Sequence, residues 1–233
     1  MDFSQTILIV DDGFLGRCFA DYLVVNYGSE RIVLLNDEAV NVNDSILVVQ
    51  QANDAALHLD VVVDFLGLMM RHFDWFTTVK RYVSVTTSDE PDVMINIGRH
   101  YGPKQPKESL LFRMISQALK EDFLAVRDDE MQYDWTYVVD CCSAVDKVMR
   151  FGKKHEEYDI CSGFNITDLD IAKAVLKNLQ LPMALINVIE NSIMMQSYQQ
   201  LDGSKLRALG WSPTVDFDIG LKRTIEWHRA NLQ

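Results

Sequence analysis

The sequence predicts an α/β protein: an open, doubly wound sheet of parallel strands, followed by a small C-terminal α/β lobe. Three observations carry that expectation. Short apolar runs alternate with stretches of helical periodicity through the first half of the chain, the pattern of strands joined by helical crossovers. The second half changes character, with helices outnumbering short strands. Finally, 233 residues that are 48% hydrophobic and 24% charged have ordinary globular composition and enough material for a core.

In order, Thr6–Val10 is an apolar run closed by Asp11-Asp12-Gly13 and reads as a buried strand. Phe14–Tyr27 places Leu15, Cys18, Phe19, Tyr22 and Leu23 at helical spacing, and Gly28 supplies a stop. Arg31–Leu35 is a second strand, then comes the polar segment Asn36–Ser45, and Ile46–Val49 is a third strand. Leu57–Phe76 is long and richly apolar and reads as a helix. Arg81–Val85 and Val93–Ile97 are the fourth and fifth strands. Beyond them, Glu108–Lys120 is a helix, and Trp135–Val139 is strand-like and leads into a helix through Ala144–Phe151. Tyr158–Cys161 is a short strand. Thr167 with Asp170 forms an N-cap pair opening a helix to Leu179. Asp202–Leu209 is a short helix stopped by Gly210, and Asp218–Leu232 is a final amphipathic helix. The chain divides into residues 1–98, carrying the larger sheet, and 99–233, mainly the C-terminal lobe, interleaved with the first part and expected to form one compact unit with it.

Lys and Arg number 22 against 34 Asp and Glu, a net charge of −12. Phosphate neutralisation supplies most nucleic-acid affinity, so nucleic acid is excluded as a partner, and an anionic membrane surface is disfavoured for the same reason. Phe65–Met70, the longest strongly apolar stretch, is too short to span a bilayer. The first residues lack a positive n-region, so no secretory signal and a cytoplasmic location are expected. Cys18, Cys141, Cys142 and Cys161 fit neither a zinc site nor a disulfide framework, and the five histidines have no metal spacing. No metal is expected.

The chemistry-bearing signals begin with Gly13-Phe14-Leu15-Gly16, placed where the first strand turns into the first helix. Glycines there let backbone approach a pyrophosphate closely, although a plain strand-to-helix turn needs them too. Further segments follow in order: VKRYVSVTTSDE at 79–90, HYGPKQ at 100–105, QYDWTYVVD at 132–140, YDICSGFNI at 158–166 and LDGSKLRALGWSP at 201–213. With ILIVDDGFLG at 7–16, they resemble the extended short-chain dehydrogenase/reductases, in particular the NAD-dependent sugar-nucleotide epimerases and dehydratases. The resemblance covers nearly the whole chain. It implies a Rossmann-like sheet, NAD as cofactor, and Thr87, Asp89 and Glu90 as the catalytic hydroxyl and carboxylates. It also implies a cofactor loop of Gly13, Phe14, Leu15 and Gly16 with Asp37 as the ribose-binding acid, and substrate contacts from Arg99, Tyr101 and Tyr133. Asp37 reads equally as a solvated loop residue, and 86–90 equally as a polar turn.

The departures from that family bear on function. Pro91-Asp92 stands where the family has a long stretch carrying a Tyr-x-x-x-Lys helix, whose tyrosine and lysine exchange the proton and hold the nicotinamide ribose. Lys80 and Lys104, the nearest lysines, are not in that spacing. Without a matched acid and base, hydride transfer loses the proton-transfer contribution. The family's first loop glycine falls on Val10 or Asp11, and Asp11 with Asp12 would repel a pyrophosphate at a helix N-terminus. The arginine of the family's RDW segment, which grips the substrate diphosphate, corresponds to Tyr133. NAD binding is accordingly expected to be weak or absent. The protein is expected to be a non-catalytic binding or assembly subunit, the alternative being an active dehydratase or epimerase with a rerouted proton donor. A homo-oligomer or partner contact is expected through the Leu57–Phe76 helix, whose apolar residues occupy almost every face.

Overall fold

A computed structural model describes residues 6–10, 13–28, 32–35, 47–49, 59–66, 79–85, 91–127, 131–189 and 200–231. The first elements are β1 (Ile7–Val10), α1 (Leu15–Tyr27), β2 (Ile32–Leu35), β3 (Leu47–Val49), β4 (Val61–Asp64), β5 (Arg81–Ser84), β6 (Val93–Ile97) and β7 (Arg99–Tyr101). Then follow α2 (Leu110–Leu119), β8 (Leu124–Arg127), β9 (Gln132–Tyr137), α3 (Val138–Phe151), β10 (Glu156–Ile160), β11 (Asn165–Thr167) and α4 (Asp168–Leu179). The last are β12 (Ile186–Ile189), α5 (Ser204–Ala208) and α6 (Phe217–Asn231).

The chain forms two units, one of residues 1–97, 138–160 and 202–212, the other of 98–137, 161–201 and 213–233. Residues 138–160 and 202–212 lie in the first unit, where β10 is an edge strand of the sheet.

That sheet is the doubly wound parallel one, with strands in the order β3-β2-β1-β4-β5-β6-β10. Strand order reverses between β1 and β4, whose last residues, Val10 and Asp64, are paired. Open α/β sheets bind ligands outside the strand ends at such a reversal. Helix α1 buries Leu15, Phe19, Ala20 and Leu23 against β1, β2 and β4 residues such as Ile9, Leu34 and Val63. It ends at Gly28, at φ +84°, whose N–H donates to Val24 O at 2.9 Å. The Tyr27 hydroxyl donates to Asp146 of α3 at 2.9 Å, and the Arg150 guanidinium stacks 4.1 Å from the Tyr27 ring. Burial, then the hydrogen bond to the Asp146 carboxylate, push the Tyr27 phenol up to about 12. All four cysteines are unbridged, and burial pushes the Cys142 thiol well above its ordinary value.

One expectation is overturned. The stretch 57–76 is not one helix, because Val61–Asp64 is a central strand, paired with β1 and β5 and buried along its length. Apolar residues on every face are the mark of a parallel strand covered on both sides, and the run of three valines favours extended backbone. Val61, Val62, Val63 and Phe65 are therefore core rather than a partner surface. Leu68, Met69, Met70, Phe73, Trp75 and Phe76 lie outside the described residues.

The second unit holds a three-stranded sheet, β11-β9-β7, and the parallel pair β12-β8. Its core gathers Leu111, Ile115, Trp135, Ile171, Leu176 and Leu221 from α2, β9, α4 and α6. Thr167 caps α4 as expected: its hydroxyl accepts the Asp170 N–H at 3.1 Å and donates to the Asp170 carboxylate at 3.0 Å.

His228 of α6 is wholly buried, its Nδ1 2.9 Å from Thr224 O and its ring edge-on to Phe112 at 4.7 Å. Its Nε2 meets no protein hydrogen-bond partner. Burial holds the imidazole below its ordinary 6.5, outweighing the Thr224 hydrogen bond that raises it. The unfolded chain takes up this proton more readily than the folded one, so the neutral ring stabilises above the unfolded pKa, and that stability declines as pH falls below it. The urea midpoint should therefore drop from pH 7.5 to 5.5, and His228→Leu should shrink that drop. An unchanged drop in the variant would exclude His228 as its source.

Candidate functional site

Strand β1 leads through Asp11-Asp12 into the turn at Gly13, which is exposed and at φ +89°, in the left-handed region that glycine adopts without strain. Phe14, Leu15 and Gly16 are buried, and α1 starts at Leu15 without a side-chain cap from Phe14. The two glycines thus sit at a strand-to-helix turn beside the reversal in strand order. Asp37, the expected ribose-binding acid, lies outside the described residues, as do Thr87, Asp89 and Glu90.

A residue not foreseen also stands here. Asp64, wholly buried at the C-terminal end of β4, accepts the Tyr82 hydroxyl at 2.8 Å and the Leu66 N–H at 2.9 Å. The sequence signal was an acid closing a run of valines, masked by reading that run as helix.

Strands β5 and β6 are parallel neighbours that pair Val83 with Val93. Only residues 85–92 join them. The connection leaves with the Val85 N–H on Asp64 O at 2.8 Å. It returns at Asp92, whose carboxylate accepts the Tyr82 N–H at 2.8 Å and whose carbonyl accepts the His155 N–H at 2.6 Å. A parallel crossover ordinarily takes a dozen or more residues with a helix, and this one has no room for several helical turns. Lys80 precedes β5, at the N-terminal end of the strand, ion-paired with Asp60 at 2.7 Å. Lys104 lies in an exposed turn of the second unit, at φ +67°.

In the second unit the expected substrate contacts are engaged with one another. The Arg99 guanidinium pairs with Asp168 at the start of α4. It also lies 3.4 Å from the Tyr133 ring centre and 5.4 Å from that of Trp135. Tyr133 and Arg99 are thus brought together, the tyrosine receiving a cation on its face. Tyr101 is 1% exposed, and its hydroxyl donates to Phe217 O at 3.2 Å. Asp134, next to Tyr133, holds the loop after β10. Its carboxylate accepts N–H groups of Ser162 at 2.9 Å and Gly163 at 2.6 Å, and the Thr136 hydroxyl at 3.0 Å.

Among the described residues no group of His, Cys, Asp and Glu could hold a metal, and no helix is long and apolar enough to cross a membrane.

A Rossmann sheet with glycines at its first turn defines a class of nucleotide-binding α/β proteins. Comparison with known proteins narrows it: residues 85–161 match the NAD dependent epimerase/dehydratase family. The Haloferax volcanii low-salt glycan biosynthesis protein Agl12 is 29% identical over 143 residues, covering 61% of this chain and 46% of that protein. The dTDP-glucose 4,6-dehydratase of Neisseria gonorrhoeae is 31% identical over 154 residues, covering 60% and 44%. The chain thus spans less than half the length of these relatives. Among solved structures, Bacillus anthracis dTDP-glucose 4,6-dehydratase in complex with NAD superposes with a TM-score of 0.81 at 18% identity, covering 98% of this chain and 97% of that one. Thermotoga maritima UDP-glucose 4-epimerase with UDP-glucose gives 0.79 at 17% identity, covering 98% and 100%. Residues 85–161 are thus similar to the NAD dependent epimerase/dehydratase family, and the chain shares the fold of solved epimerases and dehydratases.

Proposed function

We propose that this chain is a non-catalytic relative of the sugar-nucleotide epimerases and dehydratases, serving as a binding or assembly subunit. The observation that carries the reading is the eight-residue join between β5 and β6, residues 85–92, which holds no Tyr-x-x-x-Lys pair. A sugar hydroxyl oxidised by hydride transfer must also give up a proton, and this chain has no matched tyrosine and lysine to take it.

Two further features support the reading. The residues present do not fit NAD well. Gly13 and Gly16 suit a close backbone approach, but Asp64 is buried at the strand reversal, and Asp11 and Asp12 occupy the join from β1 to the turn. Carboxylates there oppose a pyrophosphate that seeks the same helix N-terminus. In the second unit, Arg99 is spent on Asp168 and Tyr133, so a diphosphate would have to displace an internal ion pair.

Calorimetric titration with NAD, then with dTDP-, UDP- and GDP-sugars, tests the proposal. NAD should bind no tighter than about 1 mM. Replacing Asp11 and Asp12 together by glycine should tighten it, more at low salt, where charge repulsion is least screened. A wild-type Kd near about 1 µM for NAD would overturn the proposal.

A further inference from the structure

We infer that the face of β6 and β10 opposite α1 is a water-facing surface rather than the seat of a further helix. The inference does not depend on the chain being inactive.

The direction of the crossovers fixes which face is meant. Helix α1 joins β1 to β2 and packs on the face carrying Ile9, Leu34 and Val63. The step from β5 to β6 runs across the sheet in the opposite direction. A right-handed crossover helix there would lie on the other face. On that other face, β1, β2, β4 and β5 contribute the buried Leu8, Val10, Val33, Val62 and Tyr82. Across β6 and β10 the same face turns polar, with Met94, Asn96 and Asp159 partly exposed and Glu157 exposed.

Parallel strands covered on both sides read as continuous apolar runs, as ILIV, IVLL and VVVD do in β1, β2 and β4. VMINI and EEYDI in β6 and β10 instead alternate with period two. Val93, Ile95, Tyr158 and Ile160 are buried on the α1 side. The polar residues form a surface network. Asn96 Nδ2 donates to Glu157 Oε1 at 2.9 Å and to Asp159 Oδ1 at 2.8 Å, and Asp159 Oδ2 accepts the Asp202 N–H at 2.7 Å. Seating an apolar helix here would strip water from two carboxylates that share one amide donor. The charges on β10, an edge strand, also discourage strand addition by another chain.

Two measurements on the full chain test this. In the first, Asn96→Val with Glu157→Val creates an apolar patch. A thermal midpoint no higher than wild type, with more self-association in sedimentation, is expected. A higher midpoint with unchanged sedimentation would show that the face is covered, and would overturn the inference. In the second, Glu157→Cys should react with a water-soluble maleimide as fast as an Ala208→Cys control on exposed α5, read by peptide mass mapping. Protection of the residue 157 thiol relative to that control would overturn it even if the double variant fails to fold. Both measurements read stability and labelling rather than ligand binding or turnover, so their failure is distinguishable from failure of the proposed function.

Discussion

Asp134→Ala should lower stability by about 2 kcal/mol, read as a fall in the urea midpoint at constant slope. The Asp134 side chain is nearly buried and accepts from two backbone N–H groups, Ser162 and Gly163, and from the hydroxyls of Thr136 and Ser162. Ser162 keeps other acceptors, its N–H on the Thr136 hydroxyl oxygen at 3.0 Å and its hydroxyl on Trp135 O at 3.0 Å. Alanine therefore takes the acceptor chiefly from the Gly163 N–H and the Thr136 hydroxyl, and a buried polar group left unmet costs about 1–3 kcal/mol. Asp134→Asn keeps one carbonyl oxygen but turns an NH2 toward an N–H, so an intermediate loss is expected. A loss below about 1 kcal/mol for the alanine variant would mean that water replaces the carboxylate. The contrast with its neighbour is informative. In the segment Tyr133-Asp134-Trp135 the residue that holds the fold is an acid with four donors, whereas Tyr133 is stacked under Arg99.

Gly220→Ala is the second large effect. A Cβ on Gly220 would stand 2.5 Å from the Tyr101 hydroxyl and 2.8 Å from a ring carbon of Tyr137. Tyr101 packs edge-on against Trp135 and Tyr137 and against Phe217, so it has little room to retreat. Overpacking of this kind typically costs about 1–3 kcal/mol. A midpoint shift in that range is expected, and Tyr101→Phe, which removes the hydroxyl nearest the new methyl, should recover part of it in the double variant. No destabilisation by Gly220→Ala would show that α6 slides freely over this cluster.

Much of the fold was legible because its signals are local. The apolar run before Gly13, the helical spacing from Leu15 to Leu23 and the Thr167–Asp170 cap each act within a few residues. Val61–Asp64 was misread for a non-local reason: three valines ahead of further apolar residues satisfy a helix buried all round as well as a strand buried on both faces, and only pairing with β1 and β5 decides. Strands β7, β8, β11 and β12 are three or four residues long, too short for a periodic signal, and owe their form to partners distant in the chain. At the candidate site, the glycine turn and the missing Tyr-x-x-x-Lys were readable as spacing. Asp64 against Tyr82, and Arg99 between Asp168 and Tyr133, were not, because each joins residues 18 to 69 positions apart.

Incubation of the folded protein with dTDP-glucose and NAD checks the proposed loss of catalysis. The reading predicts no 4-keto-6-deoxy product above the background of enzyme-free controls, in protein that shows a cooperative urea transition. Clear turnover that Thr87→Val or Glu90→Gln abolishes would contradict it, and would establish instead an active dehydratase that takes its proton by another route.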